Sequence, residues 1–121
     1  MRCKNLSNIS ALETLPLEAI TISGSPLLTD ISALKNKKLK YIFLENIKVN
    51  DVSSLAKPEL KTLILKSVPI TTLKSFENLS INEVDLFDIN LAKNDELKSM
   101  PLESLSLNFT NIDSIELINT K

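Results

Sequence analysis

The chain contains no histidine and no tryptophan, and its 121 residues include one cysteine and one glycine. Histidine is the side chain that most often serves as a general base or a metal ligand near neutral pH. Cys3 has no second cysteine with which to form a disulfide within the chain. Gly24 alone cannot supply the glycine-rich loop that cradles phosphates. We therefore predict no catalytic residues, no metal site and no cofactor, so we do not expect an enzyme.

The chain also lacks an excess of charge of either sign. Fourteen basic and 15 acidic side chains give a net charge of −1 at pH 7, whereas nucleic-acid binding calls for a strongly basic surface. No apolar run approaches the roughly 20 residues that cross a bilayer, and residues 1–6 lack the apolar core of a signal peptide. We expect no nucleic-acid partner, no membrane insertion, and a cytoplasmic location if residue 1 is the true start.

Aliphatic residues, in contrast, recur in one pattern. Five segments carry an aliphatic residue at their first, fourth and sixth positions, and they begin at Leu17, Leu39, Leu60, Ile81 and Leu102. Their spacing is 22 residues once and then 21 residues three times. A near-constant period of this length is typical of a solenoid, in which each repeat forms one coil. The pattern predicts a single domain over residues 1–121, with a partial repeat at 1–16 and full repeats beginning at 17, 39, 60, 81 and 102.

Each repeat divides into a strand and a returning arm. In the second repeat, Ile42 and Leu44 alternate with Tyr41 and Phe43, which predicts a short strand with one buried face. In the arm, a mostly polar column precedes an apolar spacing: Asn8, Asp30, Asp51, Thr72, Lys93 and Ser114. Asp, Asn, Ser and Thr accept hydrogen bonds from amides at a helix start, so we predict a capped turn of 3₁₀ or α-helix. Stacked aspartates binding calcium are the alternative, against which Lys93 argues.

The arrangement Leu-x-x-Leu-x-Leu, followed by apolar positions at fixed offsets, resembles the leucine-rich repeat family over essentially the whole chain. The resemblance implies an α/β solenoid: a right-handed superhelix with a concave parallel β-sheet and short 3₁₀ or helical turns on the convex side. It also implies binding of proteins or other ligands on the concave face. The 21-residue unit, with phrases such as Asp30–Leu34, is most similar to bacterial internalin-type repeats.

The sequence departs from the family pattern at the bend. Many members carry asparagine three residues after the strand, where its amide satisfies backbone groups. Here that column reads Ser25, Ile47, Val68, Ile89 and Thr110. We expect the bend to satisfy its backbone by other means, because buried unpaired groups are costly. We also expect local irregularity at 92–96, where Asn94 occupies an otherwise apolar column.

The predicted concave face carries aromatic side chains with charged side chains around them. The candidate partner-binding residues are an aromatic and aliphatic patch with a charged rim: Tyr41, Phe43, Glu45, Ile64, Lys66, Glu83, Asp85 and Phe87. The alternative is that strands favour aromatic residues and that exposed ones need no function. Phe76 falls in a core column and is predicted to be structural. Glu83 and Asp85 share one face, but an open sheet offers no water-excluded pocket for acid–base chemistry.

We therefore predict a non-enzymatic module that presents its concave sheet to a protein partner. The alternative is a regulatory or spacer segment of a larger bacterial protein, kinase-linked or on the cell surface, of which this chain is a fragment. If the ends are uncapped, the sheet edge at 102–107 predicts edge-to-edge self-association as well.

Overall fold

The computed structural model describes residues 6–91, 103–108 and 110. Within these ranges it contains four one-turn 3₁₀ helices and five strands. In chain order they are η1 (Ser10–Leu12), β1 (Ala19–Ser25), η2 (Ser32–Leu34), β2 (Tyr41–Ile47), η3 (Ser53–Leu55), β3 (Thr62–Lys66), η4 (Lys74–Phe76), β4 (Glu83–Phe87) and β5 (Ser104–Asn108). A 3₁₀ turn therefore precedes each of the first four strands, as the division into strand and arm predicts.

The five strands form one parallel sheet whose strand order follows the chain order. Ala19 pairs with Tyr41, and Tyr41 pairs with Thr62, so the register advances by one repeat of 22 residues and then by one of 21. The same one-repeat step joins Thr62 to Glu83 and Glu83 to Ser104. Because neighbouring strands are successive repeats, the chain is a β-solenoid.

The core lies on one side of this sheet, between the strands and the returning arms. Ile42 and Leu44 are fully buried, whereas Tyr41, directly before Ile42, is exposed. Aliphatic columns from successive repeats join in one continuous cluster that also contains Phe76, 1% exposed, so its predicted structural role is confirmed. A fully buried aliphatic side chain stabilises by about 1.5–3 kcal/mol. Stacking is what completes this burial, since a lone repeat leaves both flanks in water.

The polar column of the arms does cap the 3₁₀ turns. The side-chain oxygens of Asn8, Asp30, Asp51 and Thr72 accept from the backbone N–H two residues later, at 2.7, 2.8, 2.9 and 3.1 Å. Each of these N–H groups belongs to the first residue of a turn, where no carbonyl within the helix can reach it. The residue between the polar side chain and the turn is the N-cap and is buried, for example Ile31 between Asp30 and Ser32. The polar residue thus acts one position earlier than a standard N-cap, as in an Asx turn.

The same geometry bears on the calcium alternative. Asp30 and Asp51 each direct one carboxylate oxygen to a backbone amide of their own turn. Within residues 6–91 and 103–108, no group of three acidic, cysteine or histidine side chains is arranged to hold a metal ion.

A column of left-handed residues forms the bend after the core positions of each of the first four strands. Gly24, Asn46, Ser67 and Asp88 occupy equivalent places in successive repeats and have φ angles of 62°, 55°, 52° and 56°. In this conformation the Ser67 N–H donates to the Phe87 carbonyl at 2.9 Å, and the Asp88 N–H donates to the Asn108 carbonyl at 3.0 Å. Backbone carbonyls of the next repeat therefore satisfy the amides of Ser67 and Asp88 at this bend.

The extra residue of the 22-residue repeat lies in a turn directly after β1. Ser25 is fully buried, and its hydroxyl donates to the Ser23 carbonyl at 3.3 Å. The Leu28 N–H donates to the Ser25 carbonyl at 3.1 Å, which closes the turn and returns the Leu28 side chain to the core. Leu27 is left 55% exposed at the tip of this turn.

One of the described lysines is buried beside the core. Lys37 is 8% exposed, and its Nζ donates to the backbone carbonyl of Glu13. That carbonyl lies just after η1, at the end of a helical turn where carbonyls lack partners. This hydrogen bond joins the arm of one repeat to the arm before it.

Some predictions concern residues outside the described ranges. These are Cys3, the irregularity at 92–96, Lys93 and Ser114 of the capping column, and the start of the last repeat at Leu102. Among the described residues, no helix has the length and apolar character needed to cross a membrane.

The capping aspartates predict a specific acid sensitivity. Hydrogen bonds from the backbone and then the side chain of Ser32 lower the pKa of Asp30, and those of Ser53 lower the pKa of Asp51. A carboxylate whose folded pKa is depressed stabilises the fold above its unfolded pKa, and this stability is lost as pH falls through the folded pKa. The free energy of unfolding should therefore fall as pH drops below about 4.

Asp30→Asn combined with Asp51→Asn should keep the turns, because Asn8 forms the same bond with an amide oxygen. We expect a flatter decline in unfolding free energy between about pH 5 and pH 2 than in the wild type, measured by urea denaturation. Glu13→Gln, which removes an exposed acid outside these turns, is the control. Parallel curves for the wild type and the double variant would contradict the assignment.

The left-handed column predicts a second stability effect. Asn46→Val should lower the free energy of unfolding by about 1–2 kcal/mol, because a β-branched residue adopts positive φ only at a steric cost. Asn46→Gly should stay within about 0.5 kcal/mol of the wild type, since glycine adopts this conformation freely. Asn50→Val is the matched control, because Asn50 is also exposed and is not among the residues with positive φ. An equal loss in both valine variants would refute the backbone explanation.

Candidate functional site

The sheet has a second face, here named the outer face, that points away from the core. Because successive side chains of a strand point to opposite faces, the strand residues that alternate with the buried ones lie on the outer face. From β1 to β5 its members are Ala19, Thr21 and Ser23; Tyr41, Phe43 and Glu45; Thr62, Ile64 and Lys66; Glu83, Asp85 and Phe87; Ser104, Ser106 and Asn108. The structure places all eight candidate residues on this face. They lie on β2, β3 and β4, while β1 and β5 contribute only small or amide side chains.

Register arranges the three central strands into three rows. They run Tyr41–Thr62–Glu83, Phe43–Ile64–Asp85 and Glu45–Lys66–Phe87. Phe43 and Ile64 are direct neighbours at the centre, whereas Tyr41 and Phe87 lie at opposite corners. With strands about 4.8 Å apart and a rise of about 3.3 Å per residue, the patch measures roughly 10 by 13 Å.

Exposure differs between the centre and the corners of this patch. Tyr41 and Phe87 are 37% and 36% exposed, which is unusual for large apolar side chains in the described chain. Phe43 and Ile64 are half-buried by their neighbours on the same face. Two accessible rings therefore flank a less accessible apolar floor.

A cation–π contact crosses the patch. The Lys66 Nζ lies 5.6 Å from the centre of the Phe43 ring. The two residues are diagonal neighbours, since Phe43 pairs with Ile64, two residues before Lys66. Both residues were candidates from the sequence. Their contact could not be predicted, because it depends on the register between β2 and β3.

The acidic side chains of β4 have no basic neighbour in register, whereas Glu45 on β2 pairs with Lys66. Glu83 lies between Thr62 and Ser104, and Asp85 lies between Ile64 and Ser106. In the described parts of the chain, the ion pairs are Lys40 with Glu18 at 3.7 Å and Lys74 with Glu77 at 3.5 Å, both away from β4. Three carboxylates and one ammonium group give the patch a net charge of −2.

A polar column borders the outer face where the strands begin. Here the backbone N–H of Lys40, Lys61, Asn82 and Glu103 donates to the carbonyl of the equivalent residue one repeat earlier, at 2.7–3.0 Å. The side chains of its two lysines turn to other groups: Lys40 pairs with Glu18, and the Lys61 Nζ donates to the Ser80 carbonyl at 3.4 Å. Sequence reasoning missed this column, although its one-repeat spacing was readable.

Clefts lined by the described residues lie away from the candidate residues. A cleft of about 530 Å³ opens at the bends, between Asn46, Lys48, Ser67 and Asp88, where the Ser67 hydroxyl donates to an Asp88 carboxylate oxygen at 2.9 Å. Another, of about 280 Å³, lies between the turns of Asp30 and Asp51. Neither is lined by any of the eight candidates. The outer face is an open surface rather than a cleft.

Comparison with models of known protein families found no match, and no significantly similar curated protein was found. The surface must therefore be interpreted from its own chemistry.

The contact between Phe43 and Lys66 can be measured by a double-mutant cycle. Phe43→Leu and Lys66→Met each remove one partner while retaining an apolar side chain. We expect a coupling free energy of about 0.5–1 kcal/mol in chemical denaturation, the range of exposed cation–π pairs. The control pair, Phe43→Leu with Lys74→Met, should show additivity, because Lys74 lies in an arm. A coupling of zero for Phe43 and Lys66 would contradict the contact.

Proposed function

We propose that this chain is a leucine-rich repeat module of the bacterial type that binds a protein partner on its outer face and catalyses no reaction. The proposal extends the solenoid to the family's right-handed superhelix, with the outer face as its concave side. It is supported by the one-repeat register, by the 3₁₀ turns of the arms, and by the near-universal right-handedness of connections between parallel strands.

The observation that carries the proposed function is where the aromatic residues lie. Of the four aromatic residues in the described chain, Phe76 is buried and the other three lie on the outer face of β2 and β4. Aromatic side chains supply much of the energy of protein interfaces, particularly where they cluster. Small side chains on β1 and β5 flank them and leave the patch accessible.

The size of the patch limits the kind of partner. Standard interfaces bury about 800 Å² on each partner, several times the roughly 10 by 13 Å footprint of the patch. We propose that the patch is the anchor of a short contact, of the kind made by a linear peptide segment. This interpretation favours a transient complex over an obligate one.

Selection from a random linear peptide library displayed on phage tests the proposal. The immobilised wild-type chain should enrich peptides whose affinity falls at least about tenfold in Tyr41→Thr combined with Phe87→Thr, since each anchor contributes more than about 1 kcal/mol. Adding Phe43→Thr and Ile64→Thr should abolish binding. Threonine retains strand propensity, so the unfolding midpoint of the exposed double variant should change little.

The matched control is Leu15→Thr combined with Leu27→Thr. These leucines are 43% and 55% exposed and lie outside the outer face, so the control removes similar apolar surface and should retain binding. Equal enrichment on the wild type and on the fourfold variant would refute the proposed function. That result would favour the spacer segment of a larger protein instead.

A further inference from the structure

The carboxylates of β4 have no oppositely charged register neighbour on β3 or β5. Cross-strand neighbours of opposite charge stabilise a sheet, yet the register neighbours of Glu83 and Asp85 are all uncharged. Asp85 is also half-buried and lies beside Ile64. A carboxylate partly removed from water next to an apolar side chain gains by acquiring a charged hydrogen-bond donor.

The nearby lysines are engaged elsewhere. Lys66, the cation of the outer face, has its Nζ over the Phe43 ring. Lys61 directs its Nζ to the Ser80 carbonyl, and Lys40 pairs with Glu18. The carboxylates of β4 therefore lie beside the apolar floor of Phe43 and Ile64. The lysines of the described neighbouring strands make their contacts elsewhere and do not neutralise these carboxylates.

We infer that the occupant of the outer face is a cationic segment of a partner protein, in which an arginine or lysine stands close to an aliphatic residue. The cation lies on Glu83 and Asp85, and the aliphatic side chain packs on Phe43 and Ile64. This inference rests on the proposed function and specifies the chemistry of the partner. Charge complementarity of this kind sets specificity and speeds association.

The dimensions fit an extended segment that crosses the strands. The midpoint between Ile64 on β3 and Phe43 on β2 lies one and a half strand spacings from β4, or about 7 Å, which two extended residue steps span. Side chains two apart in such a segment point the same way, so one reaches the carboxylates while the other reaches the apolar floor. The segment thus needs a cationic residue and an aliphatic residue in an i, i+2 relation.

The peptide library gives a direct test through composition. Peptides that bind the wild type and fail to bind the fourfold threonine variant should be enriched in arginine and lysine relative to the unselected library. Neutral or acidic peptides that still depend on Tyr41 and Phe87 would overturn the inference and leave the proposed function intact. Peptides indifferent to the fourfold variant would overturn both.

Charge-removing variants then locate the cation. With an enriched arginine peptide as the probe, Glu83→Gln combined with Asp85→Asn should weaken binding about tenfold, as expected for a charged hydrogen bond. Its matched control is Glu13→Gln combined with Glu77→Gln, which removes the same charge from the arms and should leave affinity unchanged. Replacing the peptide's arginine by citrulline should weaken wild-type binding and have little effect on the double variant. Equal weakening in both would overturn the placement on Glu83 and Asp85.

A second copy of the chain is the competing occupant. Analytical ultracentrifugation of the wild type and of the Tyr41→Thr, Phe87→Thr variant distinguishes it. A dimer lost in that variant would assign the outer face to self-association and overturn the inference, whereas a concentration-independent monomer supports it.

Discussion

Each coil of this chain must return to the same position as the coil before it, displaced by one strand spacing of about 4.8 Å. Backbone hydrogen bonds impose this closure at both ends of the strands. Where the strands begin, the Lys61 N–H reaches the Lys40 carbonyl, and at the bend the Ser67 N–H reaches the Phe87 carbonyl. Because main-chain groups close the coil, side chains at these places need only permit the required dihedral angles. The core, the arms and the outer face all depend on this alignment.

The alignment divides the strand residues into two sets with different physical demands. Inward residues such as Leu63 and Leu65 are fully buried, and any change in their volume affects the neighbouring coils. Outward residues lie over the same ladder without contributing to the core. This separation allows β2–β4 to carry aromatic and acidic side chains at little cost to folding. It also explains why the uncompensated charge of β4 is compatible with a well-packed solenoid.

Much of this architecture was predictable from the sequence because it depends on periodicity. The period located the strands, the burial of Phe76 and the placement of the eight outer-face residues, and the capping column identified Asn8, Asp30 and Asp51 as turn-formers. The sequence did not reveal the left-handed column, because Gly24, Asn46, Ser67 and Asp88 share a backbone conformation rather than a residue type. Nor did it reveal the contacts of Lys66 and Lys37, since a flexible lysine reaches partners that only three-dimensional packing defines.

The turn at residues 26 and 27 shows how this solenoid accommodates a change of length. The additional residue is absorbed there without disturbing the pairing of β1 with β2, which continues to Ser25 and Ile47. The Leu28 amide closes the turn onto Ser25, so the core resumes at once, and Leu27 extends into solvent. The length of a coil is therefore fixed along the sheet and adjustable just beyond the bend. Foreign loops grafted between Ser25 and Leu28 would be displayed in solvent just beyond the bend while the pairing of the strands stayed unchanged.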